Sequence, residues 1–190
     1  MMGIDTDKSP ETKVLISGHG GQGIVFMATL LAHAAMSEGK EVTFFPSYGA
    51  EMRGGTAHAS VVLSTRLITS PIVETPDILI ALNAPSLLRF ERQVRPGGQL
   101  FLDHLPSGGS PTRDDLDIIL VAATELAEKL GNPKTVNMVM LGAVAGMTGL
   151  VSLSTLSHSL GRVLPAHRQS LLETNRRALL MAADTMGKAE

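Results

Sequence analysis

The chain has 190 residues, 44% of them apolar and 18% charged, with a formal net charge of −2. That length holds one domain with a sizeable core, and the near-neutral charge leaves no electrostatic footprint for nucleic acid or an anionic membrane. The absence of cysteine excludes disulfides, a thiolate nucleophile, thiolate zinc sites and cysteine-ligated iron–sulfur clusters in this chain.

Met1–Thr12 reads as a disordered tail. It is polar and carries Asp5, Asp7 and Glu11, unlike a signal peptide, so the default location is the cytoplasm. Residues 13–190 read as a single domain, with no internal repeat or linker. The apolar run Lys13–Ser17 predicts a strand and Gly21–Ser37 a helix that is apolar on nearly every face, hence buried on more than one side. Val42–Phe45 predicts a second strand, Thr56–Thr65 a third, and Asp77–Leu82 a short strand of the buried parallel kind. Asn83 is placed to cap a helix with Pro85 at an early position, where the missing N–H costs little. Strands at Gln99–Asp103 and Asp117–Val121 follow, then a helical piece at Thr124–Leu130 stopped by Gly131-Asn132-Pro133. Beyond Thr135 the chain reads as helical to its end. Asn137–Leu150 carries Gly142 and Gly146 four apart, a spacing that lets another backbone come close. That helix is expected to be mainly core with one edge left for a partner, so that the isolated chain forms a homodimer. Ala166–Met186 is expected as one amphipathic helix whose Arg168, Glu173, Arg176 and Arg177 form a solvated face. No apolar stretch suffices to span a bilayer of about 30 Å.

The chemistry concentrates in the turn after the first strand, Ser17-Gly18-His19-Gly20-Gly21-Gln22-Gly23. Gly18, Gly20 and Gly23 satisfy G-x-G-x-x-G, and Gly21 adds another glycine. Missing Cβ atoms allow positive φ and close approach to a ligand. The helix that opens here offers unpaired N–H groups and a positive dipole end, which suits a phosphate or carboxylate. A dinucleotide site would want an acidic residue about 20 residues on, and the second strand ends instead in Pro46-Ser47. A P-loop would want Lys then Ser or Thr where Ile24 and Val25 stand. An unspecified anion is therefore the reading. The second strand leads into Ser47-Tyr48-Gly49-Ala50-Glu51-Met52-Arg53-Gly54-Gly55, a polar loop with one aromatic, one carboxylate and one guanidinium. It leaves the carboxyl end of a strand, where open α/β sheets bind ligands, and is expected to share one crevice with the glycine turn. The six histidines show no metal-ligand spacing, and Asp103-His104 reads as a surface pair rather than an acid–base dyad.

Taken together, Gly18-x-Gly20-Gly21-Gln22-Gly23 and Ser47–Gly55 closely resemble the gamma subunit of 2-oxoacid:ferredoxin oxidoreductases. Pro76–Leu82, Ala123–Ala127, Gly131–Lys134 and Asn137–Ala143 are similar to the same family, in the same order. The resemblance implies a Rossmann-like three-layer α/β/α domain with a mostly parallel sheet and C-terminal helices. It implies a subunit, inactive alone, of a complex that oxidatively decarboxylates a 2-oxoacid to acyl-CoA and reduces ferredoxin. Alpha, beta and ferredoxin-like delta subunits would hold thiamine diphosphate and the iron–sulfur clusters, a division that the lack of cysteine here suits. This chain would hold neither, and would buttress the core and contact coenzyme A. The residues carried over to that contact are Gly18, Gly20, Gly21, Gln22, Gly23, Ser47, Tyr48, Gly49, Glu51, Arg53, Gly54 and Gly55. No catalytic or metal-binding residue is assigned. The Ser47–Glu51 pattern looks more like the 2-oxoglutarate, pyruvate or 2-ketoisovalerate groups than the indolepyruvate one, with 2-oxoglutarate favoured. The competing reading is a free-standing nucleotide- or anion-binding regulatory module.

Overall fold

A computed structural model describes residues 11–47, 56–103 and 109–186. The apolar, β-branched stretch after Glu11 forms β1 (Glu11–His19), which begins two residues before the expected boundary. Glu11 and Thr12 are therefore paired in the sheet, opposite Ser64 and Leu63, rather than part of a tail. The remaining strands are β2 (Glu41–Ser47), β3 (Thr56–Ser64), β4 (Ile78–Ala81), β5 (Gln99–Asp103) and β6 (Asp117–Val121). They join in one six-stranded sheet of order β2-β3-β1-β4-β5-β6. β1, β4, β5 and β6 run parallel, while β3 is antiparallel to both its neighbours. Only residues 48–55 separate β2 from β3, too few for the crossover of a dozen or more that a parallel pair requires. Pro46, which has no N–H to donate, lies in the edge strand β2, where a missing ladder bond costs least.

Side chains alternate across the sheet and define two layers of core. Val14, Ile16, Ile78, Ile80, Phe101, Ile119 and Val121 face the larger one. It is closed by α1 (Ile24–Ser37), α3 (Ala123–Lys129), α4 (Val136–Thr148), α5 (Leu153–Val163) and α6 (Leu172–Met186). Leu15, Leu79, Ala81, Leu100 and Leu102 face the smaller layer, covered by Leu87 and Phe90 of α2 (Ala84–Phe90) with Val94 and Leu116. The result is the expected α/β/α arrangement with a mostly parallel sheet. No helix among the described residues is long and apolar enough to cross a membrane.

Local choices explain the element ends. Asn83 caps α2 as expected, accepting from Ser86 N at 2.9 Å, with Pro85 in the first turn. Asp103, at the end of β5, is buried and accepts from the backbone N–H of Thr124 at 3.0 Å and from the Thr124 hydroxyl, fixing the first turn of α3. Helix α1 starts at Ile24 rather than Gly21, because Gly21 (φ 96°) and Gly23 (φ 76°) are left-handed. At its other end, Glu38 accepts from Ser152 N at 2.7 Å and Lys40 donates to the Leu150 carbonyl, joining α1 to the start of α5. The stretch expected as one helix over Ala166–Met186 is a 3-10 turn, Ala166–Leu171, followed by α6.

In helix α4, Asn137 to Ala145 are all buried within the chain, while Gly146 and Met147 near its end are exposed. The close backbone neighbour that Gly142 and Gly146 admit is α6. A Cβ on Gly142 would lie 2.0 Å from the Leu179 carbonyl oxygen, and one on Gly146 would lie 3.2 Å from Ala183 Cβ. Exposed large apolar side chains include Met147 in the last turn of α4, Phe45 on β2, Leu88 on α2, and Ile118 and Leu120 on the other edge strand, β6.

Candidate functional site

The glycine turn leaves β1 at the carboxyl edge of the parallel strands. Gln22 N donates to the His19 carbonyl at 3.1 Å, closing the turn. Two of its glycines take backbone angles that favour glycine: Gly21, with open space around it, and Gly23. Gly23 is also confined, since a Cβ there would lie 2.3 Å from Asn137 Nδ2. Gly18 is confined differently. A Cβ on it would lie 2.6 Å from Gln22 Oε1 and 2.7 Å from Ile24 Cδ1. The Gln22 side chain thus folds back over the turn, where its Oε1 accepts from His19 N at 2.6 Å and from Asn83 Nδ2 at 3.2 Å. Gly23 is the N-cap of α1 and has no side chain to cap it, which leaves first-turn N–H groups for another acceptor.

Beside the turn lies a cavity of about 740 Å³. Gly21, Gln22 and Gly23 form one wall, Asn132 to Asn137 another, and the C-terminal helical segments contribute Leu164, Arg168, Leu171 and Asn175. Its lining contains two cations, Lys134 and Arg168, and no carboxylate. Neither cation is held in an ion pair among the described residues. Phe26, Val136, Leu164 and Leu171 supply an apolar surface. Asn137 and Asn175 are buried polar side chains in the same lining. A helix N-terminus, two unpaired cations and an apolar wall suit an anionic group carried on an apolar body. Among the described residues no three His, Asp or Glu side chains gather to hold a metal.

The structure brings together only part of the expected set. Gly18, Gly20, Gly21, Gln22 and Gly23 form the turn, but only the last three border the cavity. Ser47 ends β2 and pairs with His58. β3 intervenes between β2 and β1, so it is the far end of the 48–55 loop, at Thr56, that pairs with His19 of the turn. Tyr48, Gly49, Glu51, Arg53, Gly54 and Gly55 lie outside the described residues. Lys134, Asn137, Arg168 and Asn175 were not expected as site residues. For Lys134 and Asn137 the available signal was the Gly131–Lys134 and Asn137–Ala143 stretches. Arg168 reads in sequence only as part of a solvated face.

A doubly wound α/β domain with a glycine turn opening on a basic, partly apolar cavity is the architecture these features define. The chain belongs to the pyruvate ferredoxin/flavodoxin oxidoreductase family, which matches residues 13–185. The ketoisovalerate oxidoreductase subunit VorA of Methanothermobacter thermautotrophicus is 43% identical over 152 residues, 77% of this chain and 31% of the relative. The 2-oxoglutarate synthase subunit KorC of Methanothermobacter marburgensis is 33% identical over 160 residues, 80% of this chain and 86% of the relative. The match with VorA thus spans about a third of that protein, whereas KorC is matched over most of its length. Among solved structures, the gamma subunit of a keto/oxoacid ferredoxin oxidoreductase from Geobacter sulfurreducens has a TM-score of 0.76 at 26% identity, covering 94% of this chain and 99% of that one. The 2-oxoglutarate:ferredoxin oxidoreductase of Magnetococcus marinus, solved with 2-oxoglutarate, coenzyme A and succinyl-CoA bound, has a TM-score of 0.85 at 22% identity. It covers 96% of this chain and 32% of that chain, and shares the fold.

Proposed function

We propose that this chain is the gamma subunit of a cytoplasmic 2-oxoacid:ferredoxin oxidoreductase, assembled with alpha, beta and ferredoxin-like delta subunits. In that reaction the bond between the carboxylate and the 2-oxo carbon breaks and carbon dioxide leaves. The acyl carbon becomes bonded to the coenzyme A sulfur as the thiol S–H bond breaks and its proton is released, and the two electrons pass to ferredoxin. The observation that carries the reading is the family match over residues 13–185. Thiamine diphosphate and the iron–sulfur clusters belong, on this reading, to the partner subunits, since this chain has no cysteine to ligate a cluster.

The role we assign to this chain is to support the catalytic core and to contact coenzyme A. Coenzyme A carries phosphates on an amphipathic body, and the cavity beside Gly21–Gly23 offers Lys134, Arg168 and helix N–H groups next to Phe26 and Leu171. The loop Ser47–Gly55 is assigned to the same ligand from its sequence pattern. The substrate is a 2-oxoacid; the Ser47–Glu51 pattern fits the 2-oxoglutarate, pyruvate and 2-ketoisovalerate groups, of which we favour 2-oxoglutarate. The relatives carry names for more than one acid, so turnover of the assembled complex on pyruvate, 2-oxoglutarate and 2-ketoisovalerate is the deciding measurement. Highest kcat/KM on 2-oxoglutarate supports the assignment, and highest kcat/KM on either other acid overturns it.

A further inference from the structure

The strand order places a topological switch point between β1 and β4. These parallel neighbours send their following helices, α1 and α2, to opposite faces of the sheet. Open α/β sheets bind ligands in the crevice that forms there. In this chain the crevice is bridged from within. Gln22 Oε1, on the α1 side, accepts from Asn83 Nδ2 on the α2 side at 3.2 Å and from His19 N at 2.6 Å. Asn83 Oδ1 in turn accepts from Ser86 N at 2.9 Å, and the Ser86 hydroxyl accepts from the Ser17 hydroxyl of β1 at 3.0 Å. A ring of hydrogen bonds therefore runs from the glycine turn across to α2 and back to the strand that precedes the turn. A Cβ on Gly18 would press on the Gln22 amide and the Ile24 side chain, so the bridge in this position is compatible with glycine there. The cavity beside the turn is lined by residues of α1, α4 and α6 together with Gly21, Gln22 and Gly23.

We infer that Gln22 is a positioning residue: its amide closes the switch-point crevice and holds the glycine turn so that Gly21–Gly23 face the cavity on the α4 side. The inference rests on the reading of that cavity as the coenzyme A contact. The Gln22 carbonyl oxygen is spent on His19 and Asn83, so its part in the site is to hold the turn. A glutamine there serves both donors at once, whereas an aliphatic side chain of similar size serves neither and frees the turn to rotate.

The test uses the assembled complex carrying Gln22→Leu, Asn83→Asp, or the cavity variants Lys134→Ala and Arg168→Ala. Asn83→Asp keeps the oxygen that caps α2 while removing the amide donor, so it breaks the bridge without uncapping the helix. Both bridge variants are expected to raise KM for coenzyme A roughly tenfold, the scale of one or two lost hydrogen bonds. KM for the 2-oxoacid is expected to change less than KM for coenzyme A. A lowered melting temperature with KM for coenzyme A unchanged in both bridge variants would show the amide to be structural only and overturn the inference. If the cavity variants raise KM for coenzyme A and the bridge variants do not, the ligand assignment survives and the positioning role falls. If neither set moves it, the ligand assignment itself falls and takes the inference with it.

Discussion

At the scale of single residues, two side chains can be tested directly. Burial pushes the Glu38 carboxyl up, but the Ser152 N–H, Thr155 and Lys40 outweigh it and hold the group below its ordinary value of 4.5. A group acidified by folding stabilises the native state above its unfolded pKa and loses that contribution as pH falls through the folded one. Wild-type stability should therefore decline as pH drops below 4.5, with Glu38→Gln showing a shallower decline over the same range; equal slopes in acid melting curves would refute this. Arg53, outside the described residues, is assigned to coenzyme A for its planar, bidentate fork, which lysine cannot copy. Arg53→Lys in the complex should raise the apparent KM for coenzyme A roughly ten- to hundred-fold, the effect of about 1.5–3 kcal/mol. Normal coenzyme A kinetics with a depressed melting point would instead assign Arg53 to an internal pair with Glu51. Asp103 shows what local sequence leaves open. Next to His104 it reads as a surface carboxylate, yet it is buried and serves Thr124, a partner set by the packing of β5 against the start of α3.

Among the elements, the α4–α6 contact has the tightest tolerance. Replacing a helical glycine by alanine normally gains about 1 kcal/mol from propensity. At Gly146 the new methyl would meet Ala183 Cβ at 3.2 Å, a contact that small shifts relieve, so the two effects roughly cancel. At Gly142 it would meet a backbone carbonyl at 2.0 Å, which cannot move without displacing α6. Gly142→Ala should therefore lose about 1–3 kcal/mol or more, as overpacked cores do, and Gly146→Ala should be near neutral in chemical denaturation. Similar stabilities for the two would contradict the packing. The spacing of these glycines announced a close neighbour without saying which one. A partner chain was one candidate, but α6 fills the place, because an amphipathic helix later in the same chain is already at hand. The strand–turn–helix order around Gly18–Gly23 and the Asn83–Pro85 helix start were legible, since each signal lies within a few residues. The cavity was not, because its wall joins Gly21 to Asn175 and no local pattern spans that separation.

As a whole molecule, the domain belongs to a family of oxidoreductases, and the role proposed for it is to supply surface and a binding cavity. It has no cysteine with which to ligate an iron–sulfur cluster. The purified chain with 2-oxoacid, coenzyme A and thiamine diphosphate should reduce no viologen dye; turnover by the chain alone would refute its place as a non-catalytic subunit. The parallel half of the sheet was legible from its apolar runs. The reversal of β3 was not, since alternation along a strand carries no direction and only the short gap after β2 reveals it. That reversal has a consequence of its own. Ser47 and His58 are paired across adjacent strands, and Thr56 is paired to His19, so the interval 48–55 is pinned at both ends by the sheet. An interval pinned in this way can be exchanged as a cassette without rethreading the chain. Evolution or an engineer can thus revise the chemistry at this edge of the sheet while the glycine turn and both core layers stay as they are.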